Sequence, residues 1–189
     1  MNVEEAIMRR RSIRHYADRR VGRALLERVM KAGIWAPTGS NRQPWVFIAV
    51  TEPDTLHQIG VVSPGMLWDA KALICVCSDQ RKAGTFPMGP TLALFDCAMA
   101  AQNMMLVALE LGLGSCVMRS TNMAALREIL EIPDHLQPEL SIMLGYSDDP
   151  LPPAPRRDEG VIHWERFGRE EGTTDGTDFK RTKPAPSVG

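Results

Sequence analysis

A chain of 189 residues with 44% hydrophobic and 24% charged residues has an ordinary globular composition and is long enough to bury one sizeable core. Its formal net charge of −1 argues against a global preference for nucleic acid, because phosphate-tracking proteins carry a basic excess. The four cysteines, Cys75, Cys77, Cys97 and Cys116, form no CxxC pair and offer no zinc-ligand spacing. They are expected to be buried and reduced, with no metal centre, as suits a cytoplasmic protein.

The N-terminus reads as a charged amphipathic helix over residues 3–10, with Val3, Ala6, Ile7 and the stem of Arg10 on its inner face, and not as an apolar leader. A second helix is predicted from Gly22 to Trp35, where Leu26, Val29, Met30 and Gly33 fall at helical spacing. It must end near Ala36, because Pro37 disfavours the α conformation in the residue before it. After a polar loop over 37–44, residues 45–50 read as a buried strand, 53–60 as a short helix and 73–77 as a second strand. The longest helix is expected over 91–112. It is apolar almost all round and needs protein on most sides, which favours a homodimer. Asp96, Gln102, Asn103 and Glu110 argue against its crossing a membrane. A short extended piece at 115–118, a helix over Met123–Leu130 with Asn122 as N-cap and a strand at 140–145 complete the ordered part. The last residues are polar and poor in large apolar groups.

Charge is uneven along the chain. Residues 1–23 hold seven arginines (9, 10, 11, 14, 19, 20 and 23) against Glu4, Glu5 and Asp18. Within that field, Arg10, Arg11, Ser12 and Arg14 can hold a dianionic phosphate, because guanidinium forks are planar and permanently charged and Ser12 adds a hydroxyl. Taken alone, the run reads equally as a solvated helix end or a weak nucleic-acid patch. Pro37, Thr38, Gly39, Ser40, Asn41 and Gln43 form a turn-rich loop able to lay amide and backbone donors along a flat polar ring. Asn41 and Gln43 could equally serve the turn's own backbone. Trp45 belongs to the core. His15, His57, His135 and His163 are scattered without ligand spacing, which favours surface or structural roles.

Four motifs in this order resemble the nitroreductase family of FMN-dependent NAD(P)H oxidoreductases. They are Arg10-Arg11-Ser12-Ile13-Arg14; the loop from Ala36 to Trp45; the helix closing on Gly112-Leu113-Gly114-Ser115-Cys116; and Leu144-Gly145-Tyr146 followed by the arginines of Pro155-Arg156-Arg157. The resemblance covers about residues 3–168. It implies an α+β fold, a central and mainly antiparallel sheet flanked by helices, in an intertwined homodimer. Residues 1–168 would form the FMN-binding domain, and 169–189 a polar tail, flexible or wrapping the partner subunit.

Carried over residue by residue, Arg10, Arg11, Ser12 and Arg14 would bind the FMN phosphate and ribityl chain, with Arg156 or Arg157 closing on the phosphate. Pro37, Thr38, Gly39, Ser40 and Asn41 would line the isoalloxazine, often from the partner subunit, and Gln43 would fix that loop. Val117, Met118, Arg119 and Ser120 lie where the family places backbone donors toward the flavin edge. Arg119 departs from the acidic or small residue that many relatives carry. Region 61–71 has no clear match, and only Ser63 and Lys71 offer themselves there.

The implied activity is ping-pong hydride transfer from NADH or NADPH to nitroaromatics, quinones or related electron-poor small molecules. No side chain is required as a catalytic group, because the cofactor carries the chemistry. No nucleic-acid or membrane partner is expected. Two other readings stay open: a specialised flavoenzyme of the family (an enone reductase, a reductive dehalogenase or a flavin-consuming enzyme) and a non-catalytic flavin-binding module.

Overall fold

In the computed structural model, residues 1–66, 70–148, 152, 155–157 and 159–168 are described. They fall in two units, Met1–Pro153 and the unit beginning at Ala154. The expected tail over 169–189 lies outside the described residues.

The first unit is built on a four-stranded sheet, antiparallel throughout. Its strands are β1 (Trp45–Val50), β2 (Ala72–Asp79), β3 (Gly114–Met118) and β4 (Leu136–Gly145), in the order β1-β2-β4-β3. Strand β2 is buried at every position because both of its faces are covered, which is why its sequence from Ala72 to Cys77 is a continuous apolar run with no polar alternation. Ala72, Ile74 and Val76 face one core with Leu140, Ile142 and Leu144; Leu73, Cys75, Cys77 and Met143 face the other.

The first core is closed by α2 (Arg23–Gly33) and α5 (Gly89–Glu110), through Leu26, Val29, Cys97, Ala100, Ala101, Met104 and Ala108. The second is closed by α3 (Pro53–Val61) and α6 (Met123–Ile129), through Leu56, Ile59 and Leu126. Helix starts follow local chemistry. Pro53 occupies the first turn of α3, where its missing N–H costs nothing, and the Asn122 side chain accepts the Ala125 N–H at 3.2 Å to cap α6. By length and composition α5 could cross a membrane, yet here it is a core helix with nine buried positions along one side.

Three expectations change. In α1 (Val3–Arg9) only Ala6 is buried, while Val3 and Ile7 are exposed, so the predicted inner face lies uncovered among the described residues. Strand β4 begins at Leu136, not 140; Pro138 is accommodated where the register slips between Val76 and Cys77. A short helix, α4 (Gln80–Ala83), follows β2 where none was predicted, capped by the Asp79 carboxylate on the Arg81 N–H.

All four cysteines are buried and free. Burial pushes the thiols of Cys75 and Cys97 up, with hydrogen bonding from Cys77 leading for Cys75, so both stay protonated. Trp45 packs against the first core and stacks on Phe47 at 5.7 Å, as the core reading required.

Candidate functional site: an arginine segment and a strained loop

The arginine segment is placed by the outer edge of β3. Ser12 forms a parallel bridge with Ser115, and the Ile13 N–H donates to the Ser115 carbonyl at 2.9 Å. Gly114 permits this approach, since a Cβ there would meet Ile13 Cγ2 at 2.7 Å. Further along, Tyr16 Oη donates to the Ile13 carbonyl at 2.6 Å and the Ala17 N–H to the Tyr146 carbonyl at 2.8 Å. The segment is therefore held against the sheet by its backbone, which leaves its side chains available.

The arginines then divide. Arg9 pairs with Glu5 at 2.8 Å on the surface of α1. Arg11 turns its guanidinium onto main-chain carbonyls, those of Met8 at 2.5 Å, Arg10 at 2.8 Å and Pro152 at 3.2 Å. Arg14 is exposed. Arg10 differs from all of these, because its Nε is buried and has no acceptor. A buried guanidinium N–H without a partner is costly, and an anion such as a phosphate is what satisfies it.

The loop after α2 is built differently. Ser40, Asn41 and Gln43 all adopt left-handed backbone, with φ of 52°, 54° and 51°. Such a run of non-glycine residues persists only where its surroundings hold it. Thr38 Oγ1 accepts the Gln43 N–H at 3.1 Å, and Gln43 Nε2 donates to Asn41 Oδ1 at 2.9 Å. Gln43 thus fixes the loop's conformation. At its start, the Gly39 N–H donates to Asp96 Oδ1 on α5 at 3.2 Å; at its end, the Pro44 carbonyl accepts the Asp79 N–H at 2.6 Å. Desolvation raises the pKa of Asp96, and the Gly39 N–H opposes that only in part.

The strand end at Met118, followed by Arg119 and Ser120, lies at the end of the sheet where β1 begins. Met118 is buried while Arg119 and Ser120 are exposed. Region 61–66, which had no clear role in the sequence, supports this edge. Asn122 donates its N–H to the Val62 carbonyl at 2.9 Å, Ser63 Oγ donates to Thr121 Oγ1 at 3.0 Å, and a Cβ on Gly65 would fall 2.0 Å from Ser120 Oγ. Ser63 is buried, and Lys71 is tied to Asp18 at 3.0 Å. Arg156 and Arg157 belong to the second unit and are exposed.

Within one chain the two main segments do not meet. The loop sits at the β1 edge, at the Trp45 end, while Ser12 lies beyond β3 at the level of Leu144. Four strand spacings of about 4.8 Å and some seven residues of strand at about 3.3 Å separate them, roughly 30 Å in all. The loop and the Met118–Ser120 edge share an end of the sheet; the arginines and that edge share β3. Two residues escaped sequence reading: Ser115, which fixes the register of the arginines, and Asp96. The signal for Asp96 was present, as a carboxylate in the apolar first half of the helix, far from the polar Gln102, Asn103 and Glu110.

The protein-family model described as the nitroreductase family matches residues 7–63 and 57–146. A protein of Methanothermobacter thermautotrophicus, provisionally named an NADH dehydrogenase/NAD(P)H nitroreductase, is 34% identical over 173 residues, covering 88% of each chain. The crystal structure of a nitroreductase family protein from Clostridium difficile 630 superposes with a TM-score of 0.79 at 32% identity, over 88% of this chain and 99% of that one. An FMN-dependent nitroreductase from Clostridium difficile R20291 superposes with a TM-score of 0.76 at 27% identity, over 87% and 100% of the two chains.

Proposed function

This chain belongs to the nitroreductase family, as an NAD(P)H-dependent FMN oxidoreductase, and on that premise we propose nitroaromatics, quinones and related electron-poor molecules as its acceptors. FMN, when bound, supplies the hydride-accepting and hydride-donating chemistry. The chain's own residues bind, orient and shield.

The observation that carries the assignment is the buried Arg10 Nε without an acceptor, on a segment whose backbone is already committed to β3. Arg10 and Arg14 would hold the phosphate by charge-assisted hydrogen bonds, and Ser12 would add its hydroxyl. Arg11, whose guanidinium binds the Met8 and Arg10 carbonyls, would serve chiefly to shape the segment. Met118, Arg119 and Ser120 would present backbone donors to the polar edge of the ring, at the far end of β3 from the phosphate. No proton donor among the side chains is needed in this scheme.

The loop of Pro37, Thr38, Gly39, Ser40, Asn41 and Gln43 would flank the ring of a flavin held by a second copy. Two features support a homodimer. The loop lies about 30 Å from the arginine segment of its own chain, as estimated from strand spacings. Apolar side chains are also left uncovered, among them Trp35 at 84% exposure, Val3 at 73%, and Phe95 and Met99 on α5. NAD(P)H and the acceptor would then use one shared opening in turn, in a ping-pong cycle. Four buried, free thiols fit work in the reducing cytoplasm.

The test is direct. Purified protein should be yellow, retain one FMN per subunit and lose its visible absorbance on anaerobic addition of NADH or NADPH. Its colour should return with nitroaromatic or quinone acceptors. A colourless protein that cannot be reconstituted with FMN would sink the proposal, and recovery only with halogenated or enone acceptors would redirect it to a specialised member of the family.

A further inference from the structure

We propose that Asp96 is a positioning residue for the flavin: from the core helix α5 it fixes the start of the loop that lies against the cofactor ring. The inference rests on the assignment of that loop to FMN made above.

Four hydrogen bonds of the loop close on the loop itself. They are Asn41 N–H to the Thr38 carbonyl, Arg42 N–H to the Gly39 carbonyl, Gln43 N–H to Thr38 Oγ1, and Gln43 Nε2 to Asn41 Oδ1. Bonds of this kind set the shape of a loop but not its place, because they travel with it. Two bonds tie the stretch to the body of the protein among the described residues. One, Asp79 N–H to the Pro44 carbonyl, lies after the strained residues; the other, Gly39 N–H to Asp96 Oδ1, lies before them. Three left-handed residues, Ser40, Asn41 and Gln43, between two anchors have little freedom of their own, so moving either anchor moves the whole polar face.

The cost of keeping Asp96 where it is points the same way. The residue is 5% exposed, beside buried Cys97, in a helix of alanine, leucine and methionine. No cation pairs with it within 4 Å among the described residues. Arg42 from the loop and Lys82 from α4 line the same small cavity of about 40 Å³, and these, with the Cys97 thiol on its own helix, are the titratable groups around it. An alanine would pack in a helix of this composition with less penalty. What the carboxylate adds is an acceptor for the Gly39 N–H, at the place where the loop begins.

The holoenzyme tests this with two variants at each end of the bond. Asp96→Ala should weaken FMN binding by about tenfold, read from the fluorescence of released FMN, and slow anaerobic reduction at saturating NADH. Asp96→Asn keeps an acceptor oxygen and should bring both back to within about threefold of wild type. At the other end, Thr38 is extended and a Cβ on Gly39 meets nothing within 4 Å, so proline fits there while removing the donor. Gly39→Pro should therefore bind FMN about tenfold more weakly than Gly39→Ala, which keeps the N–H. If Asp96→Ala fails to fold, the Gly39 pair decides alone. Wild-type affinity and reduction rate in Asp96→Ala, an Asp96→Asn as defective as Asp96→Ala, or equal affinities in the Gly39 pair would each overturn the role of Asp96 and leave the FMN assignment standing. A wild-type protein that binds no FMN would overturn both.

Discussion

The arginine segment and the 37–44 loop, proposed above to hold the two ends of FMN, are built by opposite strategies. In the first, the backbone is satisfied by β3 and a side-chain donor, Arg10 Nε, is left over in a buried place. In the second, side chains are spent on one another and what remains is a shape, with Ser40, Asn41 and Gln43 in left-handed backbone. The difference would suit the two ends of FMN under that proposal. A phosphate is a dense charge that rewards unsatisfied donors; a flat ring carries little charge and rewards a surface that does not have to rearrange.

The largest effect should come from emptying the charged end. Arg10→Ala combined with Arg14→Ala removes contacts worth roughly 1.5–3 kcal/mol each, so FMN affinity should fall by two or more orders of magnitude. Equilibrium titration of the apoprotein checks it, and unchanged affinity would erase the distinction between the two regions. Next comes the register that aims those side chains. Gly114→Ala puts a methyl within 2.7 Å of Ile13 and should cost about 1–3 kcal/mol in urea unfolding, with weaker FMN binding as a companion effect. Full stability with lost FMN would mean that the segment moves as a unit.

A smaller effect concerns the loop's anchor. Because burial raises the pKa of Asp96, the folded state holds that proton more tightly than the unfolded one. Its contribution is therefore most favourable below the ordinary carboxylate pKa and is lost as pH rises through the raised value. Asp96→Asn, which has no charge to bury, should gain thermal stability relative to wild type over that window and then hold a constant lead. A lead that shrinks as pH rises would contradict the burial assignment. The smallest effect is expected from Ser40→Gly. Relief of its left-handed backbone should stabilise the protein by up to about 1 kcal/mol, since glycine occupies that region freely. A loss of melting temperature would show that the loop's shape is not stored strain.

Much of the fold was legible because burial writes itself in composition. Strand β2 is a continuous apolar run since both faces are covered, and Asn122 announces its helix by the chemistry of capping. What escaped depends on partners far away in sequence. Val3 and Ile7 have helical spacing, but nothing among the described residues covers them. The beginning of β4 hides behind Pro138 and Glu139, tolerated because the β2–β4 register slips there, with Glu139 the extra residue on β4. The site was legible as two motifs and not as an arrangement. The order β1-β2-β4-β3 sends the loop and the arginines to opposite edges, and no local pattern around either motif carries that order. Arg11 shows the same limit at one residue: beside Arg10 in sequence it looks equivalent, yet its guanidinium folds back onto carbonyls.

The bridge between Ser12 and Ser115 has one more consequence. An outer strand with unpaired N–H and carbonyl groups is a template on which foreign strands grow. By laying Ser12 and Ile13 along β3, the chain occupies part of that template with its own backbone. Shortening the N-terminus would then do more than weaken a ligand. It would leave an adhesive margin on the sheet, so the contact that aims the arginines also guards the protein against its neighbours.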